Sequence, residues 1–110
     1  MHDTEKLRRY LVDNGGYIER DFTFEDGKFY DVLVGVRRHE NVEMQTYTDA
    51  EFEFGKENLA VMPSAFVKRT KKMLANLQKY LAQPTLQEES RAELQNRMRR
   101  LQGVLSGEIK

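Results

Sequence analysis

The fold is decided by residues 17–36, which read YIERDFTFEDGKFYDVLVGV. Apolar and polar side chains alternate along residues 17–24, and an Asp-Gly pair follows, which is the pattern of two antiparallel strands joined by a tight turn. Residues 28–36 carry apolar side chains at both odd and even positions. This second strand is therefore predicted to be covered on both faces.

The register of this hairpin follows from the turn. A three-residue loop containing Gly27 would place Phe22 opposite Tyr30 and Ile18 opposite Val34, so that apolar side chains share one face. Such a loop needs a positive φ at Gly27, which glycine adopts at little cost. Two strands alone are marginally stable in water, so we expect further elements to cover them.

A helix is predicted before the hairpin, over residues 4–13. Leu7, Tyr10 and Leu11 share one face at i, i+3 and i+4 spacing and form its expected buried side. The segment 14–16, Asn-Gly-Gly, ends the helix because glycine accepts the left-handed conformation that follows a last turn.

A short helix is predicted after the hairpin and a polar connection. Residues 48–51, Thr-Asp-Ala-Glu, form a capping box, and Gly55 ends the helix. Phe52, Phe54 and Leu59 are expected to pack this segment against the hairpin rather than to bind a partner.

Two longer helices are predicted in the second half. The first covers residues 63–82, and the second runs from a capping box at residues 85–88 to Gly107. Gln83-Pro84 separates them, because proline cannot continue a helix. Apolar residues recur at heptad-like intervals, with Tyr80 packed beside them, so an antiparallel helical hairpin, or small coiled coil, is predicted. The fold class is therefore α+β.

Composition excludes several classes of protein. The chain has 110 residues and no cysteine, which rules out disulfide frameworks, thiolate zinc sites and cysteine nucleophiles. It has no apolar run long enough to span a membrane and no signal peptide at its start, so we predict no membrane association and a cytoplasmic location.

The charge is divided between the two halves. Residues 1–55 hold 7 Lys and Arg against 13 Asp and Glu, whereas residues 56–110 hold 11 against 5. The second half can face a polyanion such as RNA, or the acidic half can neutralise the basic one within the chain. The candidate RNA-binding residues are Lys68, Arg69, Lys71, Lys72, Lys79, Arg91, Arg97, Arg99 and Arg100.

No catalytic, cofactor-binding or metal site is predicted. His2 and His39 are the only histidines, and no spacing joins them to carboxylates as metal ligands. The glycine pair at 15–16 precedes a strand instead of following one, so it is not a phosphate-binding loop. Asp21 and Asp31 lie on the hairpin without a partner that would make an acid–base pair.

Several segments resemble a known family, the bacterial tRNA (adenine-N1)-methyltransferases that modify adenine 22. Residues 5–11, EKLRRYL, with Asn14-Gly15 are similar to that family's "LRxWLxxNG" segment. Residues 25–32, EDGKFYDV, resemble its "EDGKxYE(I/V)" strand pair. Residues 47–59 resemble its "YTxxExxFGxxL" segment. The matches occur in order, and a basic helical hairpin follows them as in the family.

The resemblance implies that the chain is a carboxy-terminal piece. Residues 1–40 would be the last helix and strand pair of a Rossmann-like methyltransferase domain, residues 41–62 a connector with a short helix, and residues 63–107 a coiled-coil extension that holds tRNA. The family binds S-adenosylmethionine through an N-terminal domain, so no cofactor is expected in this chain. Its expected partners are tRNA and that N-terminal Rossmann-like domain.

Two classes of function are consistent with these features. The chain is either the tRNA-contacting, non-catalytic part of an S-adenosylmethionine-dependent methyltransferase, or a free-standing helical-hairpin module that binds RNA or a protein partner. An oligomer formed through the helical hairpin is compatible with both.

Overall fold

The computed structural model describes residues 2–37 and 43–109, with side chains from Thr4 onward. The elements in chain order are α1 His2–Asp13, β1 Gly16–Asp26, β2 Lys28–Arg37, α2 Asp49–Phe54, α3 Lys56–Val61, α4 Ser64–Leu81 and α5 Glu88–Ser106. The α+β class is thus confirmed, with β1 and β2 forming a two-stranded antiparallel sheet. None of the described helices is both long and apolar enough to cross a bilayer.

The β-hairpin forms as predicted, but its register differs. Gly27 has a φ of 72°, which confirms the left-handed turn residue. Phe22 lies opposite Val32 and Phe24 opposite Tyr30, so the predicted pairing of Phe22 with Tyr30 is wrong by two residues. The strands continue to the residues that flank Gly27, which shortens the turn. Because side chains alternate with a period of two, this shift keeps the side chains of residues 20–26 on their predicted faces.

A β-bulge changes the face of one core residue. The register shifts between Ile18 and Arg20, so Ile18 pairs with Gly35 rather than Val34. The extra residue turns Ile18 to the same face as Asp21 and Thr23, and all three are buried. The expectation that Ile18 shares a face with Phe22 and Phe24 is therefore wrong.

The buried side of α1 also differs from the prediction. Leu7 and Tyr10 are 46% and 64% exposed, whereas Arg8 and Val12, one turn apart, are buried. Leu11 packs partly against the core that Val12 helps to form. The helix is rotated relative to its expected orientation because a charged residue, Arg8, occupies the centre of its buried face.

The capping box of α2 is confirmed, and a further helix follows it. The Thr48 hydroxyl accepts a bond from the Glu51 backbone N–H, and the Glu51 carboxylate accepts one from the Thr48 N–H. Gly55 ends α2 and at once begins α3, which the sequence analysis did not predict. The apolar residues expected to be packed down are buried, namely Phe52, Phe54 and Leu59.

The chain divides into two compact units, one ending at Phe66 and one beginning at Val67. In the first unit, Phe54 meets Phe66 edge to face, with ring centroids 6.5 Å apart. In the second, Leu101 and Val104 of α5 are 1% and 0% exposed. Each unit therefore has buried apolar residues of its own.

The C-terminal end of α5 agrees with the prediction, and its N-terminal end does not. Gln87 is the N-cap and makes no side-chain capping bond, so the predicted capping box at residues 85–88 is wrong. Gly107 ends the helix with a φ of 81°, as expected. At Gly103 a Cβ would lie 2.8 Å from the Ile109 Cδ1 atom, so glycine at this position lets the chain fold back over the helix.

Gly27→Val is expected to lower the free energy of unfolding by about 1 kcal/mol or more, because a β-branched residue is strained at positive φ. A Cβ at this position meets no atom within 4 Å, so the effect isolates backbone strain from steric overlap. Chemical denaturation measures it, with Gly27→Asn as the control that tolerates the left-handed region. An unfolding midpoint unchanged by valine would contradict the turn conformation.

Candidate functional site

A buried ion pair lies at the centre of the first unit. The Arg8 Nε atom donates to both Asp21 carboxylate oxygens at 3.0 Å, and the two side chains are only 2% and 3% exposed. The Arg8 Nη1 atom also donates to the Phe52 carbonyl at 2.9 Å and the Glu53 carbonyl at 3.3 Å. A cation at the C-terminal end of α2 interacts favourably with its unpaired carbonyls. Arg8 thus joins α1, β1 and α2.

Two further groups donate hydrogen bonds to the Asp21 carboxylate. The Tyr47 hydroxyl donates to Oδ2 at 3.0 Å, and the backbone N–H of Lys56 is also bonded to this carboxylate. Burial raises the pKa of Asp21, while the charge and hydrogen bond of Arg8 and the bond from Tyr47 act in the opposite direction. The pKa of Tyr47 is raised by burial and by the negative charge of Asp21. Tyr47 therefore remains a protonated donor.

Gly55 is the point at which this network leaves no room for a side chain. Its φ is 99°, and a Cβ there would lie 3.0 Å from atoms of Arg8, Asp21 and Asn58. Glycine permits both the backbone conformation and the close approach of three polar side chains. The positive φ and the lack of space for a Cβ atom therefore each favour glycine at position 55.

A second polar cluster surrounds Asn58, which is fully buried. Its Oδ1 atom accepts a bond from the Thr23 N–H at 2.9 Å, and its Nδ2 atom donates to the Thr23 hydroxyl and the Phe54 carbonyl. The Thr23 hydroxyl donates in turn to Asp31, which also accepts a bond from Thr4. Since these groups bond to one another, the cluster holds elements together and presents no group for chemistry on a substrate.

An ion pair supports the bulged part of β1. Arg20 donates to both Glu57 carboxylate oxygens at 3.0 Å, and Glu57 also accepts a bond from the Asp21 N–H. The Arg20 hydrogen bond, above all, lowers the pKa of Glu57. The Arg20 guanidinium also lies 4.5 Å from the centre of the Phe22 ring. These contacts fix α3 to the strand.

An open cleft of about 530 Å³ lies beside β1 and residues 43–47. Four carboxylate residues are in its lining, namely Glu19, Asp21, Glu43 and Glu57, and the Lys56 ammonium is bonded to the Thr46 carbonyl. A cleft with this lining repels a polyanion. The described residues also hold no group of three or more metal-ligating side chains.

The predicted RNA-binding residues all lie on α4 and α5. Those with exposed side chains are Lys68, Lys71, Lys72, Lys79, Arg99 and Arg100, and those half-buried are Arg69, Arg91 and Arg97. Lys68, Lys72 and Lys79 recur at steps of four and seven, which places them along one stripe of α4. We call these three residues the lysine stripe.

Among the predicted arginines, Arg91 and Arg99 donate hydrogen bonds to neighbouring groups of the protein itself. The Arg91 guanidinium donates to the Leu81 carbonyl at 2.7 Å and to the Gln83 carbonyl at 3.1 Å, so it satisfies acceptors at the end of α4. Arg99 donates to the Asn96 side chain one turn earlier on α5. Arg91 thus stabilises the connection between α4 and α5.

Tyr80 departs from its predicted position. The heptad-like pattern predicts that Tyr80 packs beside the apolar residues, yet its side chain is 55% exposed. The buried positions of α4 are Phe66, Thr70 and Leu77, and Tyr80 lies about one turn beyond the last of them. An exposed aromatic ring therefore follows Lys79 in the last turn.

Sequence reasoning missed the buried network around Arg8. The segments that carry the family resemblance meet there, because Arg8 comes from the first, and Tyr47 and Gly55 come from the third. The available signal was a charged residue one turn before Val12, on a helix whose apolar residues are few. The histidines give no further candidate, since His39 lies outside the described residues and the side chain of His2 is not described.

Comparison with known proteins gives one family and a set of solved structures. Residues 1–103 match the family model described as TrmK, tRNA (adenine(22)-N(1))-methyltransferase. No curated protein sequence matches the chain.

Three solved structures share the fold. Sp1610 of Streptococcus pneumoniae, in complex with S-adenosyl-L-methionine, is 23% identical with a TM-score of 0.75, over 93% of this chain and 42% of its own. A protein of the NADB-Rossmann superfamily from Streptococcus agalactiae is 26% identical to this chain, with a TM-score of 0.74. The match covers 93% of this chain and 43% of that protein. M. capricolum TrmK, in complex with S-adenosyl-homocysteine, is 22% identical with a TM-score of 0.76, over 96% and 46%. The chain spans less than half the length of each of these proteins.

Arg8→Met is expected to lower the free energy of unfolding by about 3–5 kcal/mol, because it leaves the Asp21 carboxylate buried and unpaired. Arg9→Met on the same helix is the matched control. The Arg9 side chain is 42% exposed and pairs with Glu5, so its loss should cost about 1 kcal/mol or less. Equal losses in the two variants would contradict a central role for the buried pair.

Glu57→Gln is expected to remove a pH-dependent contribution to stability. Because the folded-state pKa of Glu57 is lowered from 4.5, its contribution is present above that pH and is lost as the pH falls through the folded-state pKa. Near neutral pH the free energy of unfolding of the wild type should exceed that of the variant by about 1 kcal/mol or less, since Arg20 is half exposed. In acid this difference should vanish. Denaturation at several pH values measures it, with Glu19→Gln as the control. An advantage that persists in strong acid would exclude this assignment.

Proposed function

Because the chain belongs to the tRNA (adenine(22)-N(1))-methyltransferase family, we propose that it is the C-terminal, tRNA-contacting part of such an enzyme. The observation that carries the proposal is the family match, which extends over residues 1–103. In this proposal the chain depends on S-adenosylmethionine for the reaction but is not catalytic by itself.

The cofactor would be held by a partner region. Sp1610 in complex with S-adenosyl-L-methionine is more than twice as long as the portion that aligns with this chain. The polar groups around Arg8 and Asn58 bond to one another, which leaves them unsuited to hold a cofactor. The chain would therefore act together with an N-terminal Rossmann-like domain that binds S-adenosylmethionine.

The RNA-contacting element would be an antiparallel hairpin of α4 and α5. Only six residues, 82–87, separate the two helices. Arg91, in the first turn of α5, is bonded to the carbonyl of Leu81, the last residue of α4. A short connection tied in this way favours antiparallel neighbours and supports the coiled-coil arrangement.

The lysine stripe would bind the phosphate backbone. With a rise of about 1.5 Å per residue, Lys68 and Lys79 are about 16 Å apart along α4, so the stripe can contact several phosphates of one strand. All three side chains are exposed. Contacts to phosphates position an RNA without reading its sequence, so this surface would supply affinity rather than base specificity.

Replacing Lys68, Lys72 and Lys79 together by Glu is expected to abolish tRNA binding without unfolding α4, because all three are exposed. Fluorescence anisotropy with labelled tRNA at several salt concentrations measures this. The wild-type log–log slope should be about −0.7 to −0.9 for each phosphate neutralised. The control is the triple change of Lys6, Lys28 and Arg37 to Glu, which makes the same charge change at exposed positions of the first unit.

The same titration tests whether the helices bind RNA at all. Loss of binding in the stripe variant alone supports an RNA contact through α4. An affinity that is insensitive to salt, or unchanged in the stripe variant, would instead favour the free-standing module with a protein partner.

A further inference from the structure

Tyr80 is the only aromatic residue among residues 67–110, and its side chain is 55% exposed. Within the part of the chain that the structure describes, this side chain forms no hydrogen bond, ring stacking or cation–π contact. Large aromatic rings bind through their flat faces and usually find partners when they are covered. Much of the Tyr80 ring is therefore available to a ligand.

The backbone that carries Tyr80 is held by hydrogen bonds at the end of α4. The Gln83 N–H donates to the Tyr80 carbonyl at 3.1 Å. The Arg91 guanidinium donates to the carbonyls of Leu81 and Gln83 at 2.7 and 3.1 Å. A tyrosine side chain has few torsions to restrict, so its ring binds a ligand at a low cost in conformational entropy. Tyr80 is thus a preorganised contact residue.

The helix around Tyr80 is strongly basic. The sequence of α4 includes five Lys and Arg and no Asp or Glu. With about 100° of rotation per residue, Tyr80 lies between the lysine stripe and the buried row of Phe66, Thr70 and Leu77. Lys79 immediately precedes it, with the two Cα atoms about 3.8 Å apart. An exposed ring that borders a row of cations suits a ligand that combines negative charge with flat aromatic groups.

We propose that Tyr80 stacks on an unpaired base of the bound tRNA, beside the phosphates that the lysine stripe contacts. The base must be unpaired, because bases inside a duplex are already stacked on one another and cannot meet a side-chain ring face to face. This inference rests on the proposed function and adds a contact to it. The end of α4 would bind a loop or a bulge of the tRNA rather than a helical stem.

Tryptophan fluorescence tests the stacking directly, because the chain has no tryptophan of its own. In the Tyr80→Trp variant the single indole stands at the proposed contact, and stacking on a nucleobase quenches its emission. We expect quenching that saturates over the same tRNA concentrations as the anisotropy signal. A fully paired RNA duplex should bind through its phosphates with little quenching. Emission unchanged at saturating tRNA, or equal quenching by the duplex, would overturn the proposal.

Tyr10→Trp is the matched control for this measurement. Tyr10 is 64% exposed on α1, in the acidic first unit, so its emission should change little when tRNA binds. Equal quenching of the two variants would contradict a specific contact at Tyr80. Emission of Tyr80→Trp that depends on protein concentration without RNA would place a second copy of the chain on the ring, and the proposed occupant would then be wrong.

Affinity measurements separate the ring from the charges around it. Tyr80→Ala should weaken tRNA binding by about fivefold or more, whereas Tyr80→Phe keeps the ring and should bind as the wild type does. The log–log salt slope should stay unchanged in Tyr80→Ala, because no phosphate contact is lost. If Tyr80→Ala fails to fold, Tyr80→Leu serves instead, since it keeps an apolar side chain without a ring. Wild-type affinity in the leucine variant would overturn the proposal.

Two further outcomes keep this inference separate from the proposed function. If the lysine-stripe variant loses tRNA binding while Tyr80→Ala binds as the wild type does, the proposed function stands and only this inference is wrong. If the wild-type chain binds no tRNA, the proposed function and this inference are both wrong.

Discussion

The first unit depends on one buried ion pair, that of Arg8 and Asp21. Removing two charges from water is expensive. The bonds that Arg8 makes to a carboxylate and two backbone carbonyls compensate for it, together with the bonds that Tyr47 and Lys56 donate to Asp21. Because those acceptors belong to β1 and the end of α2, the pair constrains three elements together. Gly55 is required where α2 meets α3, since a side chain there would occupy the space of the pair.

Charged residues have different structural roles in the two units. In the acidic first unit, Arg8 and Arg20 stabilise the fold, and each donates hydrogen bonds to both oxygens of one carboxylate. In the basic second unit, the lysine stripe is exposed to solvent and lies opposite the buried positions of α4. In the proposed function, the exposed lysine stripe is therefore the surface that would attract a polyanion.

The outer edge of β1 is bonded to side chains from the segments that follow the hairpin. Gln45, Glu57 and Asn58 accept hydrogen bonds from the backbone of Ile18, Asp21 and Thr23. The same residues bind β1 to α3 and to the segment before α2. Their side chains therefore satisfy the edge of β1 and also hold the elements of the first unit together. A two-stranded sheet gains independent stability from such packing on one face while its other face stays exposed.

Local sequence patterns determined the elements, and tertiary contacts decided how they are oriented. The left-handed conformation of Gly27, the Thr48 capping box and the stop at Gly107 depend on residues within a few positions of each other, and all three form as predicted. The orientation of α1 depends on Arg8 meeting Asp21 thirteen residues later and Phe52 forty-four residues later, which no periodicity encodes. The bulge at β1 likewise follows from side chains far along the chain that bond to its edge. Burial of a charge is favourable only when distant partners converge on it, so that part of the structure is decided by the assembled fold.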